Sequence, residues 1–321
     1  MKFVSASLLA SLFLMVMGGC MRRASDRTIS AIPQSVSQEI FLTQRTGLQE
    51  AARALGLKID WDGPGASEQQ RQITLITKAT DERRYGIVVT PAGGAAIDTA
   101  VQDALRRDIP VVILRDQTSL RKQPHLSFVL EDYKAGAELV TARLRQRFGC
   151  KGTVVIVGVD NYSENSVGRL DALESTMRQE CPELKIAQPV VAPFGSGYVQ
   201  IAVKHALDTY PDLVSFVALN ALAGLGTEAV VENRRAYPRV AVITFDPSMP
   251  LLLWMRHGYV DAMVAQNMRG MGERAVENID ADRKGQAYQH TVTLAPMLVT
   301  QENINDAATQ NWLQFNLEPP S

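Results

Sequence analysis

The residues able to do chemistry on a small molecule sit where apolar, strand-like runs end. Arg169 follows such a strand and a loop, and its planar fork can grip two oxygens at once. Asn220 offers one acceptor and two donors, while Asp246 as a carboxylate accepts from hydroxyls. Gln38 and Phe41 follow the first strand, where the ring can stack on an apolar face with the amide as polar partner. This is recognition chemistry. Hydrogen bonds to charged groups contribute roughly 1.5–3 kcal/mol each, so several around one small ligand give micromolar binding or better. Each residue also has a plainer role open to it: Arg169 in a salt bridge, Asn220 or Asp246 as a helix cap, Phe41 in the core.

Nothing in the chain points to catalysis of a familiar kind. There is no G-x-S-x-G, no Walker loop and no H-E-x-x-H. The four histidines, His125, His205, His257 and His290, are scattered without ligand spacing, so no metal and no cofactor is expected.

The elements that position these residues alternate. Leu57 to Trp61, Gly86 to Val89, Ile109 to Leu114 and Leu126 to Leu130 read as strands. Helical patterns run between them, including Gly47 to Leu55 and Ala95 to Arg107, and a further helix follows from Tyr133 to Phe148. The alternation restarts with strands at Gly152 to Gly158, Lys185 to Val191, Val214 to Leu219, Val240 to Phe245 and Val260 to Ala265. Helices are expected at Asn165 to Glu180, Tyr198 to Tyr210, Thr227 to Ala236, Leu251 to His257 and Gly272 to Asp280. Two successive βα series imply an α/β protein with two doubly wound parallel-sheet lobes. Ligands of such sheets bind beyond the carboxyl ends of the strands, which is where the polar residues lie.

The N-terminus reads as an export signal. Lys2 precedes an apolar run, Phe3 to Met17, too short to span a bilayer comfortably. The run ends in Val16-Met17-Gly18-Gly19-Cys20, which resembles a bacterial lipobox with Met17 in place of the usual leucine, so Cys20 is the expected lipidation site. Residues 21–30 read as a tether. The remaining chain is long enough for two lobes of about 150 residues each. Lysine plus arginine number 33 against 34 aspartate plus glutamate, so no net field argues for nucleic acid or a membrane face. Cys150 and Cys181 fall at the same end of a βα unit in a compartment where disulfides persist; a bridge and two unpaired thiols both stay open.

The order of motifs resembles the type I periplasmic binding proteins of the ribose-binding kind, the substrate-binding subunits of sugar ABC transporters. The carrying segments are Ile32-Pro33 with Phe41 and Gly47, Trp61-Asp62-Gly63-Pro64, Gly86 to Pro91, and Ile109-Pro110-Val111-Val112. They continue through Ser127 to Gly136, Arg169 to Leu173, Asn220, Phe245-Asp246, Val264-Ala265-Gln266 and Met271-Gly272. The resemblance implies lobes of residues 31–131 plus 267–295 and 132–266 plus 296–321, with residues 1–20 a leader. It implies a three-strand hinge, crossing near Glu131, Gln266 and Ala295, and a carbohydrate-like ligand held by Gln38, Phe41, Arg115, Asp116, Arg169, Asn220, Asp246 and Gln266. The protein is then a monomer in the cell envelope, membrane-bound only through its lipid, that passes ligand to an ABC permease. Two departures bear on the ligand. Arg115 followed by Asp116 stands where the family places an aspartate, and Ala221 follows Asn220 where an acidic residue is frequent. An added cation and a missing carboxylate suit a ligand carrying a negative group, unless Arg115 pairs with Asp116 or Glu131.

Two rivals follow from the same sequence. A sensor that presents its ligand-bound form to a membrane receptor shares the fold. Gly224-Leu225-Gly226-Thr227-Glu228-Ala229 also fits the dinucleotide fingerprint, with Asp246 downstream, as an NAD-linked oxidoreductase requires. Its turn is too long and its flanks are wrong for that role.

Overall fold

The computed structural model describes residues 27–66, 68–93, 95–115, 118–161, 163–192 and 196–313. The first series runs β1 (Thr28–Ile32), α1 (Glu39–Ala54), β2 (Lys58–Trp61), α2 (Gln69–Asp81), β3 (Gly86–Val89), α3 (Ala95–Arg106), β4 (Val111–Arg115) and β5 (Leu126–Glu131). The second runs α4 (Tyr133–Phe148), β6 (Gly152–Val159), α5 (Glu164–Glu180), β7 (Leu184–Ile186), β8 (Val190–Val191), α6 (Ser196–Thr209), β9 (Leu213–Ala218), α7 (Ala221–Asn233), β10 (Ala241–Phe245), α8 (Met249–Arg256) and β11 (Ala262–Ala265). The chain ends in α9 (Met268–Arg283), β12 (Thr291–Leu294), β13 (Met297–Thr300) and α10 (Ala307–Leu313). Among the described residues, no helix is long and apolar enough to cross a membrane.

Two sheets result, ordered β12-β5-β4-β3-β1-β2 and β13-β11-β10-β9-β6-β7, the latter with β8 also paired to β6. All pairings are parallel except β13 against β11. The central strands are buried on both faces, which is why β3 (GIVV) and β4 (VVILR) carry unbroken apolar runs instead of alternation. The chain passes from one sheet's layers to the other's three times, after β5, after β11 and between β12 and β13. After the second passage α9 packs back on α1. Two glycines permit that approach: a Cβ on Gly47 would meet the Arg269 carbonyl oxygen at 2.1 Å, and one on Gly272 the Gln44 carbonyl oxygen at 2.5 Å.

Several helices start where the sequence places a capping side chain. Asp132, Ser163, Asn220 and Asn267 each accept from the backbone N–H three residues on, opening α4, α5, α7 and α9. Gly149, left-handed at φ 61°, closes α4. Cys150 and Cys181, just beyond the ends of α4 and α5, are joined in a disulfide.

Some expected boundaries move. β1 begins at Thr28, inside the stretch read as a tether. α1 starts at Glu39 instead of Gly47, and α7 at Ala221 instead of Thr227 because Asn220 caps it. The single strand expected from Lys185 to Val191 is two short ones. Pro189, which has no N–H for a ladder, lies between them. The earlier start of α7 also disposes of the dinucleotide fingerprint. Gly224 and Gly226 lie within the helix and form no phosphate-cradling turn; a Cβ on Gly224 would meet Thr244 Oγ1 at 2.5 Å, so that glycine serves helix–sheet packing.

Candidate functional site

The carboxyl ends of both sheets face a shared cleft with a volume of about 320 Å³. Its walls come from the segments just past β1, β4, β6, β9 and β10. Gln38, Arg115, Asn220 and Asp246 line it, and so do Asp160, Asn165 and Ser248.

Its floor is a buried cluster of four charges. Arg115 donates to Glu131 through Nε (2.6 Å to Oε1) and to Asp246 through Nη2 (3.4 Å to Oδ2). Arg169 reaches the same two carboxylates, at 2.8 and 3.1 Å to Glu131 Oε2 and at 2.8 and 3.0 Å to the Asp246 oxygens. A fifth bond, 2.6 Å from Nη1 to the Leu219 carbonyl, leaves none of its five donors unused. Arg169 is 1% exposed and lies over the Phe245 ring at 4.7 Å. Two arginines against two carboxylates make the cluster neutral, which is what its burial requires.

The backbone contributes to this placement. Arg115 and Asp246, the groups that meet across the two sheets, sit in the left-handed region at φ 67° and 61°. Such a conformation costs a non-glycine residue of order 1–3 kcal/mol and persists only where surroundings hold it. Here the charge cluster does so, turning both side chains inward at their strand ends. Burial pushes the Asp246 carboxyl up, but the neighbouring Arg169 and Arg115 outweigh it and hold the group below its ordinary value. Burial likewise works against the Arg169 charge, and Asp246 and Glu131 more than offset it.

The structure brings together only part of the expected site. Arg169 packs beneath the cleft with its fork spent on protein acceptors; it orients Asp246 and has no donor to spare for a ligand. Phe41 is fully buried in the core beneath Arg115, whose guanidinium lies 5.7 Å from its ring, so it is unavailable for stacking. Gln266 is not among the residues lining the cleft; it lines a separate cavity of about 20 Å³ with Thr43, Pro247 and Met268, and neither of its side-chain polar atoms has a partner. Asp116 and Cys20 lie outside the described residues. The expectation of an anionic ligand loses its premise, because the Arg115 charge is met by Glu131 and Asp246.

Sequence reasoning missed Asn165, Ser248 and the role of Glu131. Asn165 Nδ2 and Ser248 Oγ are buried in the cleft wall without a hydrogen-bond partner. Asn165 stands one helical turn before Arg169 and shares its face, so the position was discoverable from the i, i+4 relation. No group of three or more His, Cys, Asp or Glu among the described residues can hold a metal ion.

Comparison with known proteins agrees with this fold. Residues 29–287 match the family model for a periplasmic binding protein domain. The chain is 23% identical over 284 residues to the ribose import binding protein RbsB of Bacillus subtilis, covering 86% of this chain and 88% of that one. Among solved structures, an ABC transporter solute-binding protein from Agrobacterium vitis bound to alpha-D-tagatopyranose superposes with a TM-score of 0.80 at 20% identity, covering 89% of this chain and 98% of that one. A carbohydrate transporter solute-binding protein from Agrobacterium radiobacter in complex with D-arabinose gives 0.80 at 20% identity, with coverages of 91% and 99%.

Proposed function

From the premise that the chain belongs to the periplasmic binding proteins of type I, we propose that it is an extracytoplasmic protein that captures a neutral sugar in the cleft between its sheets and transforms nothing. The observation that carries this reading is Asp246, kept ionised at the cleft floor by Arg169 and Arg115. A carboxylate so held accepts hydrogen bonds from ligand hydroxyls without reorganising. Arg115, Asn220 and Gln38 supply further polar contacts, and Asn165 Nδ2 and Ser248 Oγ gain the partners that they lack. A neutral cluster favours a neutral ligand. Relatives described as ribose import, tagatose-bound and arabinose-bound proteins support a sugar, while leaving open which one.

Closure about the three chain crossings buries the ligand and creates a surface spanning both lobes for recognition by an ABC permease. Anchoring by a lipid on Cys20, in the cell envelope and as a monomer, completes the reading; the Val16–Cys20 run supports the anchor. The experiment is a thermal-shift screen of the chain from Met21 with pentoses, hexoses, polyols, sugar acids and NAD. A rise with a neutral sugar is expected. A rise with NAD alone, or with sugar acids alone, contradicts the reading.

A further inference from the structure

Two helices that open onto the cleft differ in how their N-termini are closed. α7 is capped from within: Asn220 Oδ1 accepts from the Ala223 N–H at 2.9 Å. α8 is not. Ser248 holds its N-cap position with extended backbone (φ −141°, ψ 157°), yet the side chain caps nothing and its Oγ is buried without a partner. The exposed end of α8 is met from the other sheet's layers. The Met249 N–H donates to Glu39 Oε2 at 2.7 Å, and Glu39 lies in the first turn of α1. Both Glu39 and Ser248 line the cleft, and Asp246 is two residues from Ser248.

We propose that Glu39 is a cross-lobe cap: a positioning residue that fixes α8, and with it the Asp246-Pro247-Ser248 exit loop, in the ligand-capturing arrangement. A helix N-terminus leaves backbone N–H groups unpaired and carries partial positive charge. A carboxylate there makes a charge-assisted bond stronger than the hydroxyl of the local N-cap residue provides. The affinity arm of the test rests on the cleft being a sugar site, whereas the cap itself is tested without ligand.

The test is amide hydrogen exchange of the ligand-free exported chain, read on the peptide covering Met249 to Arg256. Glu39→Ala is expected to speed exchange there about tenfold, as a lost cap of roughly 1.4 kcal/mol implies. Glu39→Gln is expected to have a smaller effect, and Ser248→Ala none. Small-angle scattering of Glu39→Ala is expected to show a larger radius of gyration at an unchanged melting temperature for each lobe. With D-ribose, D-arabinose and D-galactose as probes, Glu39→Ala weakens the binding that wild type shows by about five- to tenfold. Unchanged exchange in Glu39→Ala, or exchange that rises in Ser248→Ala instead, overturns the cap. Absence of binding by all three sugars in wild type counts against the sugar reading, and the exchange result still decides the cap.

Discussion

Asp246 and Glu228 are carboxylates withdrawn from water in the same set of layers, and they end up in opposite states. Asp246, 7% exposed, receives three hydrogen bonds from two arginines and is held below its ordinary pKa. Glu228, fully buried in α7, has no partner for either oxygen, and burial with Glu232 nearby pushes it up to about 7. Depth of burial does not separate them. The partners do: the cleft holds its charge ready for a ligand, whereas Glu228, with no partner, is only about half ionised at neutral pH.

The largest expected effect comes from breaking the satisfied side. Asp246→Ala leaves two buried guanidinium groups sharing Glu131 alone and should destabilise by about 3–5 kcal/mol in urea unfolding. A loss below about 1 kcal/mol would mean that the cluster is not a unit. Removing the unsatisfied carboxylate should do the reverse. A raised carboxyl pKa favours the folded state at low pH, and that contribution is lost as pH rises from the unfolded value near 4.5 through about 7. Glu228→Gln should therefore be about 1–3 kcal/mol more stable than wild type at pH 8 and nearly equal to it at pH 5; equal gains at both would show that packing, not ionisation, is responsible. Asp246 runs the other way. Its depressed pKa contributes stability that is fully present above the ordinary carboxylate value and is lost on acidification through the lower folded value, so ligand affinity should hold through the ordinary carboxylate range and fall only at more acid pH. The smallest effect is that of salt. Because the four charges are buried, raising sodium chloride to about 0.5 M should change the melting temperature by no more than about 2 °C.

The division into two βα series was legible because parallel central strands, buried on both faces, carry runs of apolar residues, as in the GIVV of β3 and the VVIL that opens β4. Part of the site was legible for a related reason: a polar residue that ends such a strand has little to do but face the crevice, and Arg115, Asn220 and Asp246 do face it. What spacing cannot supply is orientation inside a helix or past a turn. The start of α1 at Glu39 leaves no mark in the sequence, because Gln38 makes no side-chain cap, and that first turn carries Phe41 into the core instead of the cleft. Arg169 and Asn165 share one helix face, and only packing decides that Asn165 reaches the cleft while Arg169 lies beneath it. The Arg115–Glu131 pairing was foreseen as one alternative among several; its consequence, a neutral floor, needed the position of Arg169 as well.

The most direct measurement is isothermal titration calorimetry at pH 7 of wild type and Asp246→Asn, with D-ribose, D-arabinose, D-tagatose and D-galacturonate. At least one neutral sugar should bind wild type with micromolar or tighter affinity, and Asp246→Asn should lose about 1.5–3 kcal/mol or more of that binding, with galacturonate no better than the neutral sugars. Tight binding of galacturonate alone, or a neutral sugar bound equally well by both proteins, would contradict a neutral cleft organised around Asp246.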